Sequence, residues 1–276
     1  MPQNSSAVSA ENLWGYKKRL RFFIKEMRRH AGKLGRPVRI LDVGCGNGSF
    51  VALPLAEEGF EVVGVDSDAK SIEKANLLNP FDHVRFHPLR SPSDLETLGK
   101  FDVVICSEVL EHLENPAAML KNINAVTADD ALIIVTTPNG YGPFEVENYV
   151  LRKTRLMEFL VFCKRMLLGP SAPAAVPMPG MGTATENNES PHIQFFRYGR
   201  LVKIFASTGL EVSKLKKSTF LGGSLSNKLL QRWQGALILN ARLADFLPYF
   251  MVSGWYFVLR KRNGIGTVSE HAQRKL

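Results

Sequence analysis

Residues 11–31 carry apolar side chains at spacings of three and four: Leu13, Tyr16, Leu20, Phe23 and Met27. That spacing puts them on one face of a helix. Lys17, Lys18, Arg19, Arg21, Lys25, Arg28 and Arg29 cover the rest. Such a helix packs by its stripe and leaves a basic face for solvent, or for phosphates and lipid headgroups. From residue 38 the period changes. Val38–Val43, Val62–Val65, His83–Phe86, Phe101–Cys106 and Ala131–Thr136 are short runs, rich as a group in β-branched residues. Val51–Glu58, Ala69–Leu78 and Pro116–Val126 fit helices between them. This alternation predicts βαβ units and a parallel sheet covered on both faces.

The second half is less regular. Residues 144–169 read as a helix mixing Phe159, Leu160, Phe162, Met166 and Leu167 with Arg152, Lys153, Arg155, Lys164 and Arg165. Pro170–Ser190 is mostly Pro, Ala, Gly, Thr and Asn and is expected to be a mobile loop. A helix at Tyr198–Ser207 stops at Gly209, and Leu210–Lys216 and Ser253–Arg260 read as a last pair of strands. Between them, Leu225–Leu247 is helical and apolar on one side, through Leu229, Leu230, Trp233, Leu237, Leu243 and Phe246. The pattern divides the chain into a basic helix over 1–35, a domain over 36–262 with insertions at 144–190 and 222–250, and a polar tail over 263–276.

Composition narrows the partners without naming one. The 276 residues are 45% hydrophobic and 22% charged, which excludes a disordered chain or a rod. Lys and Arg exceed Asp and Glu by 35 to 26, so the net charge of +9 favours an anionic contact: nucleic acid, membrane or a phosphorylated substrate. Cys45, Cys106 and Cys163 are scattered without zinc spacing, so a reduced, cytoplasmic setting is expected. The N-terminal residues lack the pattern of a secretory signal. No apolar run reaches the ~20 residues of a membrane helix. The nearest, Phe246–Leu259, contains Pro248 and Gly254.

The chemistry concentrates at Leu41-Asp42-Val43-Gly44-Cys45-Gly46-Asn47-Gly48-Ser49, between a predicted strand and a predicted helix. Alternate glycines allow a tight turn and a close backbone approach to a ligand. Asp66 ends the next strand, where an acid can accept hydrogen bonds from both ribose hydroxyls of a nucleoside. The spacing is GxGxG rather than GxGxxG, and Asp42 stands two residues before the first Gly. A carboxylate there repels a pyrophosphate but not an ammonium or a sulfonium. The turn therefore reads as a site for S-adenosylmethionine rather than NAD. The alternative is a glycine-rich turn with no ligand.

With these residues in view, the sequence resembles the class I S-adenosylmethionine-dependent methyltransferases. Asp42–Ser49 resembles their first motif, Val62–Asp66 the acidic strand end, Phe101–Leu113 the fourth-strand motif and Ala131–Asn139 the fifth strand. The resemblance implies an α/β, Rossmann-like doubly wound sheet of seven strands, the last antiparallel, with helical insertions after strands five and six. It also implies cofactor contacts at Asp42, Gly44, Cys45, Gly46, Asn47, Gly48, Asp66, Ser67, Ser107 and Glu108. One departure is His87-Pro88-Leu89-Arg90-Ser91, which lacks the acid that often binds adenine after strand three.

A second constellation is Glu108, Glu111 and His112, with His192 further along. Spacings of three and four put the first three on one face of a helix, able to hold Mg²⁺ or another divalent ion. The pattern resembles two metal-assisted branches of the superfamily, the ubiquinone-biosynthesis O-methyltransferases and the small-RNA 2′-O-methyltransferases. A metal there would lower the pKa of the acceptor hydroxyl. Without one, His112 or His192 can act as general base. A purely structural role is the third reading. The Asn-Pro-Pro-Tyr type of motif after strand four is absent, as is a Pro-Cys nucleophile. Both absences favour oxygen, or a small-molecule nitrogen or carbon, as acceptor. The apolar insertions suit a small or lipid-linked acceptor and a peripheral contact with anionic membrane. They suit equally a core or a dimer interface. An RNA hydroxyl as acceptor and a non-catalytic cofactor-binding scaffold are the alternatives.

Overall fold

The computed structural model describes residues 15–154, 162, 166 and 192–262. The expected helical residues 155–161, 163–165 and 167–169, the loop at 170–190 and the tail at 263–276 lie outside them, as does Leu13. The chain opens with helix α1 (Tyr16–Leu34) and enters the sheet at β1 (Arg39–Val43). It continues through α2 (Ala52–Glu57), β2 (Glu61–Asp66), α3 (Ala69–Leu78), β3 (Val84–Pro88), β4 (Phe101–Ser107), α4 (Pro116–Val126) and β5 (Thr127–Pro138). Then follow α5 (Pro143–Lys153), α6 (Tyr198–Ser207), β6 (Leu210–Lys217), α7 (Ser224–Leu230), α8 (Gln234–Phe246) and β7 (Gly254–Lys261). The strand order is β3-β2-β1-β4-β5-β7-β6. β7 runs antiparallel to both its neighbours, and the pairs from β3 to β5 are parallel.

Successive strand residues point to opposite faces, and both faces are covered. Leu41, Val43, Val63, Val65, Val104 and Cys106 pack with Leu120 and Ile123 of α4 and Leu201 and Phe205 of α6. Ile40, Val62, Val103 and Ile105 pack on the other face with Phe22, Phe23 and Met27 of α1, Leu53 and Leu55 of α2, and Ile72 and Ala75 of α3. Burial on two sides explains why these strands read as continuous apolar runs. Each large side chain sealed there contributes about 1.5–3 kcal/mol. The chain reverses its winding where β1 lies between β2 and β4. The crevice at that switch point, beyond the carboxyl ends of the strands, is where open sheets of this kind take ligands.

Three expectations change. The first helix runs to Leu34, where Gly35 adopts φ 65° and accepts the left-handed turn that stops it. Its basic residues are not all a solvated face. Lys18 Nζ donates to the carbonyls of Ser218 (2.7 Å) and Ala241 (2.6 Å) and pairs with Asp245 (3.0 Å). Burial therefore lowers the pKa of Lys18, against the pull of Asp245. Arg19 turns toward the strand ends, as described below. Finally, β5 begins at Thr127 rather than Ala131: Thr127 is buried and pairs with Phe101 of β4, while Asp129 and Asp130 beyond it are exposed. Polar residues there hide the strand from a hydrophobicity reading.

The second insertion forms α7 and α8. Its loop is held by Asn240, whose side-chain amide donates to the Leu221 carbonyl (2.9 Å) and accepts from the Leu221 N–H (2.8 Å). The Glu147 carboxylate of α5 accepts the backbone N–H groups of Leu225 (2.6 Å) and Ser226 (3.0 Å). This acid satisfies the free donors at the start of α7 and fastens the two insertions together.

Candidate active site

The glycine turn after β1 depends on left-handed backbone. Gly44, Gly46 and Gly48 have φ of 74°, 55° and 77°. A side chain at Gly44 would also meet Val109 Cγ2 at 2.4 Å. The N–H groups of Gly44 and Cys45 donate to the Val65 carbonyl at 2.8 and 3.0 Å, tying the turn to β2. Gly46 N–H donates to Asp66 Oδ2 (2.8 Å), while Asp68 N–H donates to Oδ1 (2.9 Å). Asp66 thus braces the turn and retains lone pairs for a further donor. Burial raises its pKa, and the Asp68, Gly46 and Ser67 N–H groups oppose that. Asn47 accepts from the Ser49 N–H (3.1 Å) and shapes the loop. The Cys45 side chain belongs to the core, leaving its backbone to the site. The Ser67 side chain, next to Asp66, is exposed.

Asp42 lies below this turn, 1% exposed, and its Oδ2 has no hydrogen-bond partner. Burial first, and the Asp66 charge second, push its pKa up to about 7; the Ala52 N–H and Arg19 pull against them. An orphaned buried carboxyl oxygen is expensive unless something cationic or protic meets it. It fits a ligand bearing an ammonium or a sulfonium. Arg19 is a residue of the site that no motif in the sequence marked. It reaches from α1 to within 3.5 Å of Glu108 Oε1, with a mostly buried side chain. Its charge bears on Asp42 and Glu111 as well. A guanidinium here can take a carboxylate, so the pocket offers a cation and an anion to a zwitterionic tail.

After β4 the chain carries the second constellation, and not on a regular helix. Glu108 has φ 56°, uncommon for a residue with a side chain. Its N–H donates to the Thr136 carbonyl (3.0 Å), and its Oε1 accepts from Thr136 Oγ1 (2.7 Å). Thr136 has one hydroxyl proton, so at the 2.9 Å contact Ser107 is the donor. Leu110–His112 form a single 3₁₀ turn. The result separates Glu108 from the other three candidates. One ligand atom each from Glu111, His112 and His192 lie within 4.8 Å of one another. The Glu108 carboxylate faces Thr136 and Arg19 instead.

Glu111 is completely buried. Its Oε1 has no hydrogen-bond partner, and Thr137 Oγ1 donates to Oε2 at 3.4 Å. Burial and the nearby Glu108 charge raise its pKa far above the usual carboxylate range. His192 arrives from across the first insertion. Ile193 and Gln194 N–H groups both donate to the Glu111 carbonyl at 3.0 Å, fixing the segment. His192 Nε2 then lies 4.0 Å from Glu111 Oε1, and its ring meets the His112 ring edge-on at 4.9 Å. Close by, Gly140 leaves room for the backbone of Phe195 and Phe196, which would otherwise sit 2.5–2.6 Å from its side chain.

Comparison with known proteins identifies the family. Residues 16–215 match the family model of a methyltransferase domain. The ubiquinone biosynthesis O-methyltransferase of Rickettsia typhi is 27% identical over 203 residues, 73% of this chain and 71% of that protein. Its namesake in Rickettsia bellii is 25% identical over 251 residues, 91% of this chain and 85% of that one. Magnesium protoporphyrin IX methyltransferase from Synechocystis PCC 6803, solved with bound SAH, aligns with a TM-score of 0.50 at 17% identity. That alignment covers 89% of this chain and 81% of the other. The [4+2]-cyclase SpnF aligns with a TM-score of 0.51 at 14% identity, over 87% and 82%. The two structures show a shared fold, and the cyclase among them shows that this fold does not by itself set the chemistry. The family match spans the first helix, the glycine turn and the Glu111–His112–His192 cluster, and the chain belongs to the class I S-adenosylmethionine-dependent methyltransferases.

Proposed function

We propose that this enzyme methylates a hydroxyl oxygen of an apolar acceptor, either a small phenol-like molecule or a lipid-linked one. The observation that carries this reading is the meeting of Glu111, His112 and His192 beside the cofactor turn. S-adenosylmethionine, when bound, supplies a methyl group already electrophilic on its sulfonium. Asp42 and Arg19 hold the two ends of its amino-acid moiety, and Asp66 its ribose. What remains is to orient the acceptor in line, which can supply ~7–11 kcal/mol, and to remove its hydroxyl proton, worth ~10²–10⁴-fold. Either histidine accepts that proton in the metal-free form.

Two imidazoles and one carboxylate also make a donor set for a cation, and the orphaned Oε1 of Glu111 supports that reading. The two imidazoles suit a borderline ion such as Zn²⁺ better than Mg²⁺, which prefers oxygen ligands, and Mn²⁺ binds imidazole more strongly than Mg²⁺ does. Such an ion supplies Lewis acidity to the acceptor hydroxyl. Glu111, His112 and His192 would hold it. The name of the Rickettsia relatives supports oxygen as acceptor.

The apolar character of the acceptor is supported by the insertions. Val146 and Tyr149 of α5, Leu225 and Leu229 of α7, and Ile238, Leu239, Leu243 and Phe246 of α8 are all exposed. Arg242 stands within the α8 stripe. No helix among the described residues is long and apolar enough to cross a membrane, so such a face would lie on the surface of a bilayer. The test is turnover of a prenylated catechol after dialysis against EDTA, with Mn²⁺, Zn²⁺ or Mg²⁺ restored singly. Rescue by Mn²⁺ or Zn²⁺ supports the metal site. Full activity in the stripped enzyme removes the metal and leaves the histidine base.

A further inference from the structure

We infer that Glu145 is the positioning residue of the site: it fixes the tautomer and orientation of His192, and with them the ring nitrogen that does the work. The inference rests on the reading above, in which His192 takes part in acceptor activation. Glu145 lies in the first turn of α5, and neither the spacing of motifs nor the resemblance singled it out. Its Oε1 is 2.9 Å from His192 Nδ1, and the two side chains are only 14% and 8% exposed. A carboxylate can only accept a hydrogen bond, so Nδ1 carries the proton. The Nε2 lone pair is then directed toward Glu111 Oε1, 4.0 Å away, and toward the shared space of the cluster. This is the arrangement by which an outer carboxylate orients an imidazole and selects its free nitrogen.

The rest of the surroundings constrain the ring without choosing its tautomer. The Glu111 carbonyl holds the following backbone, His112 touches one edge of the ring, and Phe144 lies at 6.5 Å. None of these discriminates Nδ1–H from Nε2–H, and Glu111 Oε1, at 4.0 Å from Nε2, is beyond hydrogen-bond reach. Glu145 does discriminate them. It also has a consequence for the first insertion. Glu145 stands where the insertion leaves the sheet and His192 where it returns, so their hydrogen bond clasps its neck. Gly140 N–H donating to the Phe196 carbonyl (3.0 Å) is a second clasp at the same neck. The Glu145 hydrogen bond thereby ties the reactive imidazole to the first turn of α5.

The test uses the full chain labelled with ring-¹⁵N histidine, at about pH 8, above the ordinary imidazole pKa of ~6.5. The His192 signals are assigned with His192→Gln, and folding is checked by circular dichroism. Long-range ¹H–¹⁵N correlation is expected to show the Nδ1–H tautomer in the wild type. Glu145→Gln, whose amide oxygen still accepts, is expected to keep it. Glu145→Leu is expected to lose it or to show a mixture. An unchanged tautomer in Glu145→Leu overturns the inference. In parallel, Mn²⁺ alone is titrated into each protein. Glu145→Leu is expected to bind about 10–100-fold more weakly than wild type, with Glu145→Gln between them. Wild-type affinity in Glu145→Leu also counts against the inference. If Mn²⁺ binds none of them, and His192→Gln has wild-type turnover, it is the acceptor-activation reading that fails, while the tautomer experiment still decides the role of Glu145.

Discussion

Asp42 is the residue whose chemistry can be followed most simply. Its folded pKa of about 7 stands above the ordinary value of 3.8, with burial as the main cause. The folded protein therefore holds this proton more tightly than the unfolded chain does. Its contribution to ligand-free stability is fully present below about pH 4, falls as pH rises toward 7, and is constant above that. Binding a cationic cofactor tail reverses the preference, because the ionised carboxylate is then paired. S-adenosylmethionine should bind more tightly as pH rises from 5.5 to 7, releasing a proton, and Asp42→Asn should flatten that slope. Calorimetric titration in two buffers of different ionisation enthalpy measures the proton directly; a pH-independent affinity in the wild type would contradict this role. Asp42 and the three glycines were legible because they are neighbours in sequence and their backbone demands are written in residue type, and Asp66 because it ends the next apolar run. Arg19 and Glu145 were not. Arg19 looks like any basic residue of an amphipathic helix, and Glu145 like any acid in a first helical turn. Only the fold brings the first to Glu108 and the second to His192.

At the scale of elements, the sequence marked strand and helix interiors well, and α3, α4 and α6 coincide with their expected bounds. Boundaries failed where polar residues extend a strand, as at Asp129 and Asp130, or where a turn replaces a helix, as after β4. The expected helical face for Glu108, Glu111 and His112 is a left-handed residue followed by a 3₁₀ turn, and that is why Glu108 parts from the other two. Helices α5, α7 and α8 were legible from apolar spacing, but not the way they join. Their union depends on Glu147 at the start of α7 and on Lys18, which anchors α8 to the helix that carries Arg19. The outward stripe of α8 makes a direct prediction. The protein should co-sediment with phosphatidylglycerol vesicles at low salt and less with phosphatidylcholine. Leu239→Ser combined with Phe246→Ser should weaken that binding while leaving stability within about 1 kcal/mol, since both side chains are already exposed. Absence of wild-type binding to either vesicle would remove the membrane from the account.

For the whole molecule, the sheet order does the positioning. β1 between β2 and β4 opens the crevice, the turn after β1 and the acid after β2 line one side of it, and the segments after β4 and β5 line the other. Seven strands with β7 antiparallel follow from the resemblance and not from periodicity alone, because no local pattern tells an inserted antiparallel strand from a parallel one. The acceptor is the least legible feature, since in the proposed reading it is met by side chains distant in sequence from the cofactor motifs. The most direct measurement is transfer of an isotope-labelled methyl group from S-adenosylmethionine to a prenylated catechol by wild type and His192→Ala, with cofactor affinity measured in both. The account predicts label on oxygen, and a loss of about 10²–10⁴-fold in the variant with cofactor binding intact. Label on carbon or nitrogen, or wild-type turnover by His192→Ala, would contradict it.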